Sequence, residues 1–314
     1  MTNALQDLEA TLQQRIGEVV LGVSPAVRAL CIAVVARGHV LVQGVPGLGK
    51  TLLSKSLAGA LGGTFKRIQG TSDLMPSDIT GTHLFDAAKN AFEFRRGPLF
   101  ADVVLFDEIN RAGPRTQSAL LEAMEERQVS VDRVLFELPP DFLVIATQNP
   151  REFEGTYPLP ESQLDRFMLR LDLSYPALEA ETQVLNCYTG VAAQPARAVS
   201  SPVSADLVHA ARAATEHVHF SPQLCAYVLA IAKASREHAQ LSLGLSTRGA
   251  LALLRAARIC AGIEGSEFVT ADDVKAMAPM VLPHRLMLTG DALLADVTES
   301  DVVARILEQV PAPR

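Results

Sequence analysis

The chain has 314 residues, of which 48% are hydrophobic and 20% charged, so it can bury a large core and is not intrinsically disordered. A net charge of −7, 5% aromatic residues and no Trp disfavour a general nucleic-acid binder, which uses basic surface and stacking rings. The first ten residues lack the apolar region of a signal peptide, and no apolar run approaches the ~18–20 residues of a membrane span. We therefore expect a cytoplasmic protein without a membrane span.

Two helices are predicted before the first strand. Apolar residues recur at helical spacing from Leu5 to Val20, and a second helix begins at Ser24 and ends near Gly38. Val20 and Gly22 lie in the short apolar turn between the two helices. This turn comes shortly before a glycine-rich segment, so it is a candidate for contact with an adenine ring. Ordinary helix packing explains the turn equally well.

The glycine-rich segment Gly44–Thr51 matches the pattern G-x-x-x-x-G-K-[ST] without mismatch, and it stands between a strand-like run (40–42) and a helix-like run (52–58). Glycines allow backbone N–H groups to approach phosphates closely, and the N-terminus of the following helix adds partial positive charge. We predict that Lys50 reaches the β- and γ-phosphates of a nucleotide and that the Thr51 hydroxyl binds Mg²⁺. The predicted nucleotide-binding residues are Val20, Gly22, Gly44, Pro46, Gly47, Leu48, Gly49, Lys50, Thr51, Leu52 and Asp107.

A parallel sheet is predicted from the strand-like segments that alternate with helices. Five such segments begin near Val40, Phe65, Val103, Phe142 and Met168. Two further pairs of extended segments, at about residues 82–95 and 129–138, are predicted to form hairpins. From residue 176 onward only helices are predicted. The pattern therefore predicts an α/β nucleotide-binding domain with a parallel five-stranded sheet over residues 1–175, followed by an all-helical domain over residues 176–314.

Polar side chains follow two of the predicted strands. Asp107 and Glu108 end an apolar run, and Asn149 follows the next buried strand. Because open parallel sheets bind ligands at the carboxyl ends of their strands, we expect these side chains near the phosphates. Asp107 is predicted to hold Mg²⁺ through water, Glu108 to polarise the attacking water and Asn149 to orient it. A simple turn before Pro150 is the alternative explanation for Asn149.

Other polar residues receive a structural interpretation. Three glutamates of the helix predicted at residues 115–127 lie away from its apolar residues and are interpreted as solvated acids: Glu122, Glu125 and Glu126. The cysteines lie far apart in the chain and form no C-x-x-C pair, so they are predicted to be buried free thiols in a reducing compartment. They are Cys31, Cys187, Cys225 and Cys260.

Together these motifs resemble the AAA+ ATPases, and more closely the MoxR family of the helix-2-insert clade. The resemblance is carried by residues 107–112, 117–124, 146–150 and 164–167. It is dense over residues 16–173 and looser in the C-terminal half. It implies a P-loop NTPase core of AAA+ type with a helical lid domain, and ATP hydrolysis with Mg²⁺.

The resemblance also implies roles for two arginines. In this family the arginine of the Leu-Asp-Arg-Phe motif is the finger that reaches a neighbouring subunit's γ-phosphate, and this position is Arg166. The arginine that opens the third lid helix is the second sensor, and this position is Arg248. A finger that acts on a neighbour implies a homo-oligomeric ring, commonly a hexamer. The hairpin at 82–95 matches the clade's insert, and the one at 129–138 matches the hairpin before the first sensor.

Alternatives remain for these arginines. Arg166 can instead be a surface ion pair, Arg248 can cap its helix, and Arg170 is close enough to be a rival finger. The chain departs from the family pattern at Gly70, where an aromatic residue is expected, and at Thr247, where a proline is usual. Neither position is predicted to contact phosphate.

The resemblance implies a chaperone-like remodelling factor that assists the maturation of partner proteins or the insertion of their metal cofactors. Its expected partners are a client protein and a separate protein with a von Willebrand A domain. A nucleic-acid motor and the ATPase subunit of a magnesium chelatase are the alternatives. A non-enzymatic ATP-binding scaffold is disfavoured, because both Glu108 and Asn149 are present.

Overall fold

The computed structural model describes residues 3–45, 47–149, 155–175, 178–189 and 198–313. Pro46 of the glycine-rich segment lies outside these residues, and so does Pro150. The site residues predicted from the sequence are otherwise all within the described part of the chain.

The central sheet has the predicted five parallel strands. The strands of the structure are β1 (His39–Gln43), β2 (Phe65–Gln69), β3 (Gly81–Asp86), β4 (Ala91–Arg96), β5 (Val103–Asp107), β6 (Gln128–Val131), β7 (Val134–Glu137), β8 (Leu143–Gln148), β9 (Phe167–Asp172), β10 (Leu241–Leu243) and β11 (Met287–Leu288). Five of them form the sheet in the order β2–β5–β8–β1–β9, and every neighbouring pair is parallel. The carboxyl ends of all five strands therefore share one edge of the sheet.

Helices cover the sheet and then form the lid. They are α1 (Asn3–Gly17), α2 (Ser24–Ala36), α3 (Lys50–Ala60), α4 (Pro76–Thr80), α5 (Pro114–Glu126), α6 (Glu161–Leu164), α7 (Leu178–Thr189), α8 (Ala205–Thr215), α9 (Pro222–Arg236), α10 (Thr247–Ile263), α11 (Ala271–Val281), α12 (Gly290–Leu294) and α13 (Glu299–Gln309). Each helix from α8 to α13 follows a Ser or Thr whose hydroxyl accepts a backbone N–H. The lid is helical, with the short antiparallel pair β10–β11 added.

Both faces of the sheet are buried. Successive residues of a strand point to opposite faces, so Val40 and Val42 belong to one apolar cluster and Leu41 to the other. Helices α1, α2 and α3 contribute to the first cluster, and α5 contributes to the second. Burial on both faces explains why β1, β5 and β8 read as nearly continuous apolar runs, whereas the edge strand β2 has three exposed residues. Polar side chains are left for the strand ends.

The apolar core continues from the sheet domain into the lid. Leu5 of α1 and Leu30 of α2 lie in the same buried cluster as Leu253 of α10, Val274 of α11 and Val302 of α13. Packing therefore crosses residue 175, where the sequence predicts a domain boundary. Among the helices that the structure describes, none combines the length and the apolar character needed to cross a bilayer.

Two antiparallel hairpins lie outside the central sheet, β3–β4 and β6–β7. They contact each other through polar and aromatic side chains. His83 Nδ1 lies 2.8 Å from a carboxylate oxygen of Asp132. The rings of Phe94 and Phe136 stack with their centroids 4.0 Å apart. These contacts join the segments at 82–95 and 129–138 into one unit.

The cysteines differ from one another in exposure. Cys31 and Cys260 are buried as predicted, and burial raises the pKa of the Cys31 thiol to about 12. The prediction is wrong for Cys225, which is exposed. Helix α9 turns the residues one before and two and three after Cys225 toward the core, so the cysteine faces solvent. The side chain of Cys187 lies outside the described part of the chain.

His39, the first residue of β1, is a buried histidine with both ring nitrogens bonded. Its Nε2–H donates to the Met124 carbonyl oxygen of α5 at 3.1 Å, and its Nδ1 accepts the Val144 N–H at 3.0 Å. Desolvation by burial lowers the pKa of His39 to about 4, Arg127 acts in the same direction and the bond to Met124 opposes it. The neutral ring therefore links α5 to two strands of the sheet.

We expect the folded state to lose stability as the pH falls from about 6.5 toward 4. Unfolded His39 takes up a proton near its ordinary pKa of 6.5, and the folded ring does so only near 4, so the unfolded state binds more protons in between. The share of His39 between pH 7.5 and 5.5 is about 1 kcal/mol. Urea unfolding at the two pH values measures it. His39→Gln is expected to lose less free energy of unfolding on acidification than the parent, and equal losses would contradict the assignment.

Candidate nucleotide site

The glycine-rich segment connects the carboxyl end of β1 to the start of α3. Gly47 and Gly49 have φ angles of 87° and 77°, in the left-handed region that favours glycine, and open space surrounds the position of an added Cβ. The Nζ group of Lys50 donates to the Gly44 carbonyl oxygen at 2.6 Å. Burial lowers the pKa of Lys50, while the Asp107 carboxylate acts in the opposite direction. The segment Gly44–Thr51 is thus an open loop, called the cradle below, and the Lys50 side chain folds back over it.

Two acids at the end of β5 are held by one hydroxyl group. Thr147 Oγ1 donates to Asp107 Oδ1 at 2.6 Å and accepts the Glu108 N–H at 2.8 Å. The other carboxylate oxygen of Asp107 accepts Arg67 Nη2 at 2.6 Å. Asn149 directly follows β8, which lies between β5 and β1. The carboxyl edge of the sheet therefore gathers both acids, Asn149 and the glycine-rich segment.

Glu108 has an unusual backbone conformation for a glutamate. Its φ and ψ angles are 57° and 54°, in the left-handed region. Its carbonyl oxygen accepts the Arg111 N–H at 2.9 Å, and its Oε2 accepts Gln69 Nε2 at 3.0 Å and Arg111 Nη1 at 3.3 Å. Such strain persists only where the surrounding structure enforces it, and it is concentrated at functional sites.

Gly70 explains one departure from the family pattern. A Cβ at Gly70 would stand 2.1 Å from the Glu108 carbonyl oxygen, which is closer than any side chain tolerates. The Gly70 N–H also donates to the Asp107 carbonyl oxygen at 2.7 Å. An aromatic residue does not fit at this position in this chain, because the backbone of the two acids passes directly over it.

The remaining predicted contacts with the nucleotide are less defined. Val20 is 7% exposed and belongs to the apolar core, so packing accounts for its burial. Gly22 has a φ of 75° in the turn between α1 and α2. Leu48 and Leu52 are partly buried beside the cradle. Contact of the 20–22 turn with an adenine ring stays a prediction.

The two predicted arginines lie at the other edge of the sheet. Arg166 immediately precedes β9, and Phe167 pairs with His39 at the amino end of β1. At ~3.3 Å per residue, the carboxyl end of that strand lies about 13 Å from His39, and the segment Gly44–Thr51 follows it. Arg166 and the cradle of the same chain are therefore separated by the full length of β1.

Arg248 joins Arg166 at this opposite edge through a shared partner. Glu125, near the end of α5, accepts Arg166 Nε on Oε2 at 2.7 Å and Arg248 Nη1 on Oε1 at 2.9 Å. Glu125 is exposed, as its interpretation as a solvated acid predicts, but it also pairs with two arginines that the sequence pattern did not indicate. Desolvation raises the pKa of Glu125, but the two ion pairs outweigh it and hold the pKa below its ordinary value. The helix pattern places Glu125 on a polar face, and only the fold brings the lid arginine to it.

Asp165 fixes the lid beside Arg166. Ser246 Oγ donates to Asp165 Oδ2 at 2.8 Å, and the buried Arg285 donates its Nε–H to Asp165 Oδ1 at 2.7 Å. Arg285 also donates to backbone carbonyl groups at the start of β9. Because Ser246 caps α10, this junction fixes the position of the first turn of α10, which carries Arg248, relative to Arg166.

Arg170, the alternative finger, is engaged elsewhere. It lies within β9, and its Nε and Nη2 groups both donate to Asp172 Oδ2, at 3.2 and 2.8 Å. Its side chain is only 10% exposed. This geometry favours Arg166 over Arg170 as the arginine that is available to contact a neighbouring subunit.

Comparisons with known proteins agree with this arrangement. Residues 39–169 match the family described as "ATPase family associated with various cellular activities (AAA)", and residues 233–306 match the family described as "AAA lid domain". The chain is 40% identical to Chaperone MoxR1 of Mycobacterium tuberculosis over 317 residues, covering 97% of this chain and 83% of the relative. It is 34% identical to Protein MoxR of Paracoccus denitrificans over 315 residues, covering 90% and 88%. The chain belongs to the MoxR family of AAA+ ATPases.

A solved structure shares the whole MoxR-type fold. It is that of a proposed ATPase from Cytophaga hutchinsonii, with a TM-score of 0.90 and 34% identity, covering 100% of this chain and 97% of that chain. The AAA+ core, the helical lid and the ATPase activity predicted from the sequence are confirmed. The P-loop of this ATPase is the cradle described above.

The residues at the carboxyl edge fit a Mg²⁺ ion. Thr51 and Asp107 supply hydroxyl and carboxylate oxygens, the hard ligands that Mg²⁺ prefers. Both carboxylate oxygens of Asp107 already accept hydrogen bonds, from Thr147 and Arg67. Contact with the ion through a water molecule, which Mg²⁺ usually retains, is compatible with these bonds.

Sequence reasoning missed two side chains that hold the acids, Arg67 and Gln69. Both lie on β2, whose carboxyl end pairs with β5 so that Gln69 stands beside Asp107. The rule that selected Asn149, a polar residue at a strand end, applies equally to Gln69. This rule could not have selected Arg67, because Arg67 lies within β2 and only the fold brings its side chain to Asp107.

We expect Gly70→Ala to lower ATP turnover about tenfold to a hundredfold, because its Cβ would displace the backbone of Glu108 and misplace the carboxylate. Steady-state phosphate release measures the effect. Gly113→Ala is the matched control: Gly113 has a φ of −61°, and the nearest atom to an added Cβ is 3.8 Å away. Parental turnover in Gly70→Ala would show that the left-handed turn at Glu108 is not needed.

Proposed function

We propose that this protein is a ring-forming, ATP-driven remodelling factor of chaperone type, in which each nucleotide site is completed by the next subunit. The observation that carries the proposal is the position of Arg166 and Arg248 at the edge of the sheet opposite the P-loop of their own chain. Arg166 cannot serve that P-loop without unfolding the sheet between them, because it directly precedes β9. A neighbouring copy in a head-to-tail ring brings the two edges together.

Within one site the residues divide the chemistry of hydrolysis. Lys50 and the P-loop backbone bind the phosphates, and Asn149 orients the attacking water. Glu108 takes the proton from that water. Thr51 and Asp107 hold Mg²⁺, which when bound neutralises phosphate charge. Arg166 from the next subunit stabilises the charge that develops in the transition state.

The cellular task that fits this machine is the remodelling of a client protein, including maturation or metal-cofactor insertion. Support comes from the relative named Chaperone MoxR1, which is 40% identical over most of this chain. A separate protein with a von Willebrand A domain is the partner that we expect to couple the ring to its client. The conformational change driven by ATP hydrolysis is transmitted to the client through the ring.

Assembly tests the proposal directly. Glu108→Gln protein with ATP and Mg²⁺ is expected to sediment as a closed oligomer, commonly a hexamer, while Lys50→Ala stays in smaller species because it does not bind ATP. The specific ATPase activity of the parent is expected to rise with protein concentration as rings form. Full activity in a species that sediments as a monomer would overturn the proposal.

Client capture tests the chaperone part. Tagged Glu108→Gln protein with ATP is expected to retain a client and a von Willebrand A protein that Lys50→Ala does not retain, as identified by mass spectrometry. The two baits have the same surface and differ in nucleotide state. Identical retained proteins with both baits would contradict ATP-dependent remodelling.

A further inference from the structure

Glu125 places two cations at one carboxylate. Each arginine uses a single nitrogen for it, Nε of Arg166 and Nη1 of Arg248. Within the described part of the chain, the two Nη groups of Arg166 donate no hydrogen bond. These are the groups that bind phosphate oxygens in the two-pronged geometry of a guanidinium. Glu125 therefore orients the arginine without occupying its phosphate-binding side.

The Glu125 carboxylate also offsets the repulsion between the positive charges of Arg166 and Arg248. Two guanidinium groups repel each other, so they do not gather at one place without an anion between them. One arginine comes from the sheet domain, after α6, and the other from the lid, at the start of α10. The junction of Asp165 with Ser246 brings these two elements together, and Glu125 then pairs with both side chains.

The position of Glu125 excludes action on the nucleotide of its own chain. The preceding residue, Met124, accepts the hydrogen bond of His39 at the amino end of β1. The P-loop follows the carboxyl end of that strand. The three side chains thus form a unit on the surface that faces away from the chain's own cradle, with Glu125, Arg166 and Arg248 exposed by 36%, 28% and 49%.

We propose that Glu125 is a positioning residue, which joins Arg166 and Arg248 into one clamp directed at the phosphates of the neighbouring subunit's nucleotide. This inference rests on the proposed function, in which Arg166 acts on a neighbour. It assigns Arg248 to the same neighbouring site. The lid of one subunit then senses the nucleotide of the next subunit through the same carboxylate that orients the finger.

The test compares ATP turnover, own-site binding and assembly in Glu125→Gln, Arg166→Ala and the double variant. Glu125→Gln is expected to lower kcat about tenfold to a hundredfold through misplacement of the arginines, with an unchanged Kd for ATP and unchanged sedimentation. Adding Glu125→Gln to Arg166→Ala is expected to cause a smaller loss than Glu125→Gln causes in the parent, because only its action through Arg248 remains. Glu122→Gln, on the same helix, is the control and keeps parental turnover.

The outcomes separate the two proposals. Parental turnover in Arg166→Ala overturns the proposed function. Loss in Arg166→Ala with parental turnover in Glu125→Gln overturns only the role of Glu125. Raised turnover in Glu125→Gln would show that the carboxylate withholds the arginines rather than presents them. Additive loss in the double variant, or failure of Glu125→Gln to assemble, would assign it a structural role and equally overturn the inference.

Discussion

Replacing Glu108 with glutamine is expected to leave ATP binding intact and to slow hydrolysis by at least about a hundredfold. Glutamine has the shape of glutamate but cannot take a proton from water. The backbone of Glu108 is held in its left-handed turn by Thr147 and Arg111, through bonds that the substitution does not touch. Titration with ATP gives the Kd, and single-turnover phosphate release gives the rate.

Lys50→Ala is the comparison that separates binding from chemistry. The Lys50 ammonium group lies over the P-loop, so its removal is expected to abolish ATP binding itself. Glu137→Gln, a carboxylate on β7 away from the P-loop, controls for the loss of one charge. Hydrolysis by Glu108→Gln at the parental rate would show that another group activates the water.

Replacing Arg166 with alanine is expected to lower turnover by about a thousandfold or more, the order found for arginine fingers in phosphoryl transfer. Each chain keeps a complete P-loop, both acids and Asn149, because these lie at the opposite edge of the sheet. ATP binding is therefore expected to persist. The loss is expected in the subunit next to the altered one, which mixing experiments detect.

Mixing Arg166→Ala with Lys50→Ala protein is expected to restore activity that neither variant has alone. Lys50→Ala, which does not assemble alone, is expected to enter rings beside ATP-bound Arg166→Ala subunits. If the two variants enter at random and in equal numbers, about one quarter of the sites pair an intact P-loop with an intact finger from the neighbour. Arg255→Ala, an exposed arginine on the same lid helix as Arg248, is expected to behave as the parent in the same assay. Mixed rings without recovered hydrolysis would refute catalysis across the subunit boundary.

The two experiments concern different halves of one site. In the proposed ring, Glu108 belongs to the half that binds nucleotide, and Arg166 belongs to the half that acts on the neighbouring subunit. If both expectations hold, isolated subunits bind ATP but hydrolyse it slowly, and assembly controls activity. A client that alters the ring then alters hydrolysis through the position of the finger and the lid.

Much of the nucleotide-binding half was predictable from local patterns. The P-loop is a contiguous segment whose glycines and lysine have a direct physical purpose. Asp107, Glu108 and Asn149 follow apolar runs, and parallel strands bring their ends to one edge. The family resemblance supplied Arg166 and Arg248, which composition and spacing do not single out from the other arginines of the chain.

The sequence by itself determined the five parallel strands, the helical lid and the polar residues at the carboxyl edge, because each depends on neighbours within a few residues along the chain. Only the tertiary structure decided that Glu125 pairs with Arg166 and Arg248, residues 41 and 123 positions away. It also decided that the carbonyl of Glu108 excludes any side chain from position 70. Hydrophobic periodicity sorts residues into faces, but a polar side chain on an outer face acquires its partner only when the domains pack.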